Sequence, residues 1–199
     1  MYPSEWWSLA SLCLIGALSP GLSWLIIITT SASKGTFVGI CGALGHGFGI
    51  TTFALIIVFG LSSILRLGSE LSIVLSLLST FVLAYFGYSL IRSGLPPIPE
   101  SMSTKSGFIA GFSLALINPK VLVFFLAIFG SFVDPTHDMI TQISMGLVAG
   151  GIDTLVYMGV AIVGVMLKNY LRSDRLLLIN RSIGGLLIAV SIWFFANLV

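Results

Sequence analysis

The chain has 199 residues, of which 57% are hydrophobic and only 8% are charged, and its formal net charge is +2. Its mean hydropathy is +1.11. A soluble domain usually carries about 25% charged residues, so the composition excludes a water-soluble globular domain. The few dispersed cations also exclude the basic surface that nucleic acid would need.

Six apolar segments follow one another along the chain. A membrane-spanning helix needs about 20 mostly apolar residues, and no ten-residue alternation typical of a transmembrane barrel occurs. The sequence therefore predicts an all-α polytopic membrane protein with six transmembrane helices. The predicted spans are Trp6–Ile28, Thr36–Gly60, Leu71–Ile91, Gly107–Ser131, Met139–Leu167 and Leu176–Val199.

A linker rich in proline and serine, residues 94–106, lies at the middle of the chain. It divides a single transmembrane domain, 1–199, into a first repeat, 1–93, and a second repeat, 107–199. Each half has three spans, and an odd number makes the halves enter the membrane from opposite sides. If the halves are repeats, they are inverted repeats.

The basic residues predict the orientation. Loops one, three and five hold most of the Lys and Arg, and such loops are typically cytoplasmic. Both termini are then expected on the periplasmic side. The basic residues of these loops are Lys34, Arg92, Lys105, Lys168, Arg172, Arg175 and Arg181, whereas the other side holds only Arg66.

Two prolines lie inside predicted spans, Pro20 in the first and Pro119 in the fourth. They occur in Ser19-Pro20-Gly21 and Asn118-Pro119-Lys120, at corresponding places in the two halves. Proline removes a helical hydrogen bond, and the freed groups need protein or a wet cavity to satisfy them. Paired interruptions predict helices broken at mid-membrane around a transport site; ordinary kinks are the alternative.

Two charged residues lie deep in the second half, Lys120 and Asp153. Such residues usually face the bundle interior and mark a pathway or a pair. We expect both to face one cavity, either paired or bridged by substrate; a purely structural pair is the alternative. Asp153 and His46 are candidates for proton coupling, because a buried carboxyl and an imidazole can exchange protons near neutral pH. Tyr157 lies one turn beyond Asp153 on the same face.

Several different short motifs are spread along nearly the whole chain. Ser19-Pro20-Gly21 is followed by spaced glycines, and the second half carries Gly111-Phe112, then Asn118-Pro119-Lys120, then Phe124-Phe125. Together these segments resemble the LysE/RhtB-type amino-acid exporters, a family of small translocators. The resemblance implies inverted repeats, a bacterial inner-membrane location and export driven by the proton-motive force. The family's usual Ser-Pro-Gly-Pro-Asn stands here as Ser-Pro-Gly-Leu22-Ser23.

We therefore expect a secondary active exporter of amino acids or closely related small metabolites, and not an enzyme. Its partners would be the small-molecule substrate and the lipid bilayer, with no nucleic acid, cofactor or metal. Stripes of small residues permit a homodimer. The expected substrate-binding and translocation residues are Ser19, Pro20, Gly21, Ser23, Asn118, Pro119, Lys120, Asp153 and Tyr157.

Two alternatives stay open. The altered first motif is compatible with a diverged, non-transporting membrane subunit. A membrane thiol redox carrier can share the same three-plus-three plan, but it needs a reactive thiol in each half. Cys13 and Cys41 both lie in the first half, so this alternative is the weaker one.

Overall fold

The computed structural model describes residues 1–19, 21–65, 69–92, 107–167 and 173–198. Within these residues the chain forms eight α-helices and no strand, which confirms the all-α class. Pro20, the linker 94–106, Arg66, Lys105, Lys168 and Arg172 lie outside the described residues. The helices are α1 (Pro3–Leu18), α2 (Leu22–Lys34), α3 (Thr36–Leu65), α4 (Ser69–Arg92), α5 (Gly107–Ile117), α6 (Pro119–Phe132), α7 (Met139–Leu167) and α8 (Ser173–Leu198).

Helices α3 and α7 are each long and apolar enough to cross a membrane alone. The pairs α1–α2 and α5–α6 meet the same criterion when each is counted as one bent span, with bends of 58° and 62°. Large apolar side chains stand exposed around the bundle; Phe37 is 77% exposed and Ile140 is 74% exposed. Such surfaces suit lipid and not water, so this is a membrane protein with up to four spans of this kind in the described part.

Several predicted boundaries move outward in the structure; the first span, for example, is predicted to end at Ile28, whereas α2 continues to Lys34. Helix α1 begins at Pro3 and not at Trp6, because proline is well suited to a first helical position. The Glu5 carboxylate accepts a hydrogen bond from the Tyr2 N–H at 2.6 Å, which completes this helix start. Helix α3 continues past Gly60 to Leu65, since the apolar run continues there.

Helices α3 and α7 cross each other antiparallel through two glycines. A β-carbon on Gly47 would overlap Thr154 Oγ1 and lie 3.0 Å from the Gly150 carbonyl oxygen. A β-carbon on Gly150 would likewise overlap Thr51 Oγ1 and lie 2.8 Å from the Gly47 carbonyl oxygen. Each threonine hydroxyl donates to the glycine carbonyl of its own helix, one turn back. The contact is therefore reciprocal, and only glycine permits so close an approach.

A second reciprocal contact joins α4 to α8. A β-carbon on Gly87 would lie 2.6 Å from the Gly184 carbonyl oxygen, and one on Gly184 would overlap the Gly87 carbonyl oxygen. The next turn repeats the exchange, because Gly87 faces Ile188 and Gly184 faces Ile91. Two helix pairs, α3 with α7 and α4 with α8, thus pack through glycines that each approach the carbonyl oxygen of the other.

The apolar core has two buried clusters. The larger joins α1, α3, α4 and α6 with parts of α7 and α8, and it includes Leu9, Val58 and Phe129, which are fully buried. The smaller is formed by α2 with α3 and α7, around Ile27 and Ala161. The two helix breaks, between α1 and α2 and at Asn118, join helices that all contribute to these clusters.

The turn between α6 and α7 is organised by two aspartates outside the spans. The Thr136 hydroxyl and N–H both donate to Asp134, and this holds the pKa of that carboxyl below its usual range. Asp138 precedes α7 and accepts the Thr141 N–H at 2.9 Å. Hydrogen bonds from the Thr141 side chain and from its N–H lower the pKa of Asp138 in the same way.

The neighbouring glycines of α7 offer a matched test of the close α3–α7 approach. Gly150→Ala should lower the thermal stability of the purified protein by several degrees, because the added methyl group overlaps α3 and overpacking costs about 1–3 kcal/mol. Gly151→Ala is the control, since nothing lies within 4 Å of its β-carbon position. Its melting temperature should stay unchanged or rise slightly. Equal effects of the two variants would contradict the packing described here.

Candidate functional site

The two helix breaks have the same backbone form. Ser19 ends α1 in an extended conformation with φ −68° and ψ 114°. Asn118 separates α5 from α6 with φ −73° and ψ 110°. Helix α6 begins at Pro119, where the missing N–H is not needed by the helix. The proline motif therefore interrupts the span completely and does not merely kink a continuous helix.

Lys120 extends from the second break to the first. Its ammonium donates to the Ser19 carbonyl oxygen and to Ser19 Oγ, both at 2.9 Å. Gly21 provides the space, because a β-carbon there would lie 3.1 Å from Lys120 Nζ. The Lys120 side chain therefore links the start of α6 to the end of α1.

Asn118 makes the second link between the breaks. Its Oδ1 accepts the Lys120 N–H at 3.0 Å, which caps the start of α6. Its Nδ2 donates to Ser23 Oγ at 2.9 Å, in the first turn of α2. Asn118 and Ser23 are both buried, so water does not compete for these bonds.

A buried acid–imidazole pair lies on α3 and α7. His46 Nδ1 is 2.7 Å from Asp153 Oδ2, and both residues are buried. The Tyr157 ring stacks on the imidazole, with centroids 4.4 Å apart and planes 10° apart. His46 Nε2 has no hydrogen-bond partner among the described residues. The pair is thus held together through one nitrogen of the imidazole.

Both groups line one cavity of about 30 Å³, which has room for about two water molecules. The polar groups come from both breaks and from the centres of α3 and α7, whereas the remaining wall is apolar. The polar or charged lining residues are Ser23, His46, Asn118, Lys120, Asp153 and Tyr157; the others are Cys13, Gly16, Ala17, Gly21, Ile50, Val121, Phe124, Phe125 and Ala149.

The structure brings most of the sequence-predicted site residues together. Gly21, Ser23, Asn118, Lys120, Asp153, Tyr157 and His46 line the cavity, and Ser19 binds Lys120 beside it. Pro20 lies outside the described residues, and Pro119 is known only as the first residue of α6. Lys120 and Asp153 share the cavity, but the observed partners are Ser19 for Lys120 and His46 for Asp153.

Sequence reasoning missed the apolar part of the cavity wall. Gly16 lies against the Phe124 ring so closely that a β-carbon would overlap it, and Phe124 also contacts the rings of Phe86 and Phe125. The Phe124-Phe125 pair was recognised as a motif, but nothing in its spacing assigns it to the cavity. The only sequence signal for Gly16 was its position, three residues before the break at Ser19.

The chain is similar to known membrane proteins. The family model described as LysE type translocator matches residues 14–197. A threonine efflux protein of Escherichia coli K12 is 27% identical over 134 residues, 63% of this chain and 65% of that protein. Uncharacterized membrane proteins of Pseudomonas aeruginosa and Vibrio cholerae are 28% identical over 143 residues and 23% identical over 180 residues.

The matched segment spans 66% of the Pseudomonas protein and 65% of the E. coli protein, just under two thirds of each. For the Vibrio protein the match covers 86% of both chains. No solved structure matches the chain.

Asn118→Ala tests the link between the breaks. It removes a helix cap and leaves Ser23 without the amide donor, so we expect the free energy of unfolding to fall by about 1–3 kcal/mol. Thermal unfolding of the purified protein in detergent measures this. Ser63→Ala is the control, because that hydroxyl bonds only the Phe59 carbonyl of its own helix on an exposed face. Equal losses of unfolding free energy in the two variants would show that the bonds between the breaks stabilise the fold no more than a hydroxyl bond within one helix does.

Proposed function

This chain belongs to the LysE-type translocator family, and we propose that it is a secondary active exporter of amino acids or closely related small metabolites. The observation that carries the proposal is the meeting of two broken helices at one buried cavity. A cationic side chain, Lys120, and an anionic one, Asp153, both line that cavity. A zwitterion presents the complementary pair of charges. The threonine efflux protein among the relatives supports the same class of substrate.

The proposed carboxylate site lies at the first turns of α2 and α6. A helix N-terminus carries partial positive charge and free N–H groups, and both helices begin at the cavity, at Leu22 and Pro119. Lys120 adds a full charge there. Ser23 and Asn118 supply polar groups beside it.

The proposed ammonium site is Asp153. Its carboxylate lines the cavity and contacts one nitrogen of His46. A substrate ammonium and a proton would compete for the same carboxylate, which is the requirement for exchange of the two across the membrane. The stacked Tyr157 ring fixes the plane of the imidazole, so that His46 Nε2 points away from Asp153 and can pass a proton on.

We also propose the inverted-repeat plan of six spans, with repeats 1–93 and 107–199 and the breaks at mid-membrane. The matching backbone at Ser19 and Asn118 supports it, as do the reciprocal contacts of Gly47 with Gly150 and of Gly87 with Gly184. The distribution of Lys and Arg supports periplasmic termini, and the family supports the bacterial inner membrane.

Uptake of labelled amino acids into everted membrane vesicles tests the proposal. In these vesicles the cytoplasmic face points outward, so an exporter moves its substrate into the vesicle. Wild-type vesicles should accumulate substrate only when a proton gradient is imposed. Asp153→Asn should reduce this uptake by about tenfold or more, since the coupling between proton and substrate is lost. Asp134→Asn is the control, because that carboxyl lies in the exposed α6–α7 turn.

Undiminished gradient-driven uptake in Asp153→Asn would contradict the assigned coupling site. No uptake of any amino acid by the wild type would contradict the exporter itself and would favour a non-transporting subunit. Loss of uptake in a Cys13→Ser, Cys41→Ser variant would favour thiol chemistry instead.

A further inference from the structure

The carbonyl end of α1 is buried. The last four carbonyls of a helix have no partner within that helix, and they form the negative end of its dipole. Ser19, which follows α1, is 1% exposed. Its own N–H bonds back to the Ile15 and Gly16 carbonyls, so its carbonyl and hydroxyl oxygens face outward from the helix end. Two oxygens at the negative end of a buried helix form an environment that favours a cation.

The cation present there is part of the chain. Lys120 belongs to the first turn of α6, where the helix dipole disfavours positive charge. Its side chain leads away from α6, and its ammonium makes both of its hydrogen bonds with Ser19, each at 2.9 Å. The Phe86 ring lies 5.9 Å from the same nitrogen. The ammonium is therefore stabilised by the end of α1 and not by its own helix.

The first break is shaped to admit this side chain. Gly21 lies 99 positions before Lys120, at the corresponding place in the other half. A β-carbon on Gly21 would lie 3.1 Å from Lys120 Nζ and 3.4 Å from Lys120 Cδ. One half thus carries a lysine where the other half carries no side chain. The lysine of the second break occupies the space that the glycine of the first break leaves open.

We propose that the Ser19 carbonyl and hydroxyl oxygens form a site for a monovalent cation, which the chain fills with the Lys120 ammonium. In transporters with broken helices, the carbonyl ends of half-helices coordinate the coupling Na⁺. Here the Lys120 ammonium lies at the carbonyl end of α1, so transport needs no Na⁺. This consequence for transport rests on the proposed export function, whereas the cation site itself does not.

Thermal unfolding of purified Lys120→Ala tests the site without any transport assay. The variant should melt below the wild type. Both n-propylammonium chloride and NaCl should then raise its melting temperature saturably, by about 2–4 °C, because they bind the vacated oxygens in the folded state. Tetramethylammonium chloride at equal ionic strength should not, since it is bulky and has no N–H. The wild type and Lys34→Ala, which removes an exposed lysine at the end of α2, should show no saturable rise.

The site is refuted if neither cation stabilises Lys120→Ala, or if the wild type responds equally. If Lys120→Ala does not accumulate in membranes, Lys120→Met replaces it in the same titration, because its side chain has a similar length and has no N–H donor for Ser19. A second measurement uses the wild type in everted vesicles. Replacing Na⁺ by N-methylglucamine should leave uptake within about twofold, and a loss of about tenfold or more would overturn the proposal. Vesicles without any uptake would contradict only the exporter, and the titration would still decide the cation site.

Discussion

Three hydrogen bonds between the two helix breaks organise this protein. Two run from the Lys120 ammonium to Ser19, and one runs from the Asn118 amide to Ser23. A broken helix inside a membrane leaves backbone and side-chain groups that cannot turn to water. Here each break supplies the groups that the other lacks. The interruptions are therefore tolerated because they occur as a pair, and their pairing also creates a cavity with polar walls.

The same arrangement separates the charges of the site. Lys120 is held by α1, and Asp153 is held by His46, so the two charges share a cavity without neutralising one another. A cavity of about 30 Å³ is too small for an amino acid, so binding of the proposed substrate would require the breaks to move apart. The substrate ammonium would then replace His46 at Asp153, while Lys120 keeps its contacts with Ser19. In this account, the contact between Asp153 and His46 is the one that substrate and proton replace.

Much of the fold follows from the sequence because span length and apolarity are local properties. The six predicted segments correspond to the eight helices, and the two in-span prolines mark where spans become helix pairs. The meeting of the breaks was anticipated from their matched positions. By contrast, hydrogen-bond partners depend on how distant helices pack. The spacing of Lys120 and Asp153 therefore predicted a shared cavity but could not predict that Ser19 and His46 would be their partners.

The packing of α3 on α7 and of α4 on α8 was also only partly predictable. The glycine-rich α3 indicated close approach, but only the structure shows that Gly47 and Gly150 exchange contacts with Thr154 and Thr51. Gly87 and Gly184 do the same for α4 and α8. The apolar wall at Gly16 and Phe124 was missed, because an aromatic side chain in a membrane helix can face lipid or protein with the same sequence pattern.

The most direct measurement is a double-mutant cycle between the breaks, with Ser23→Ala and Asn118→Ala, singly and together, followed by thermal unfolding in detergent. If the two breaks hold each other, the losses should be non-additive, with a coupling energy of about 0.5–3 kcal/mol. The pair Ser63→Ala and Asn118→Ala should be additive within about 0.5 kcal/mol. Additive losses for Ser23 and Asn118 would contradict the claim that the breaks stabilise one another.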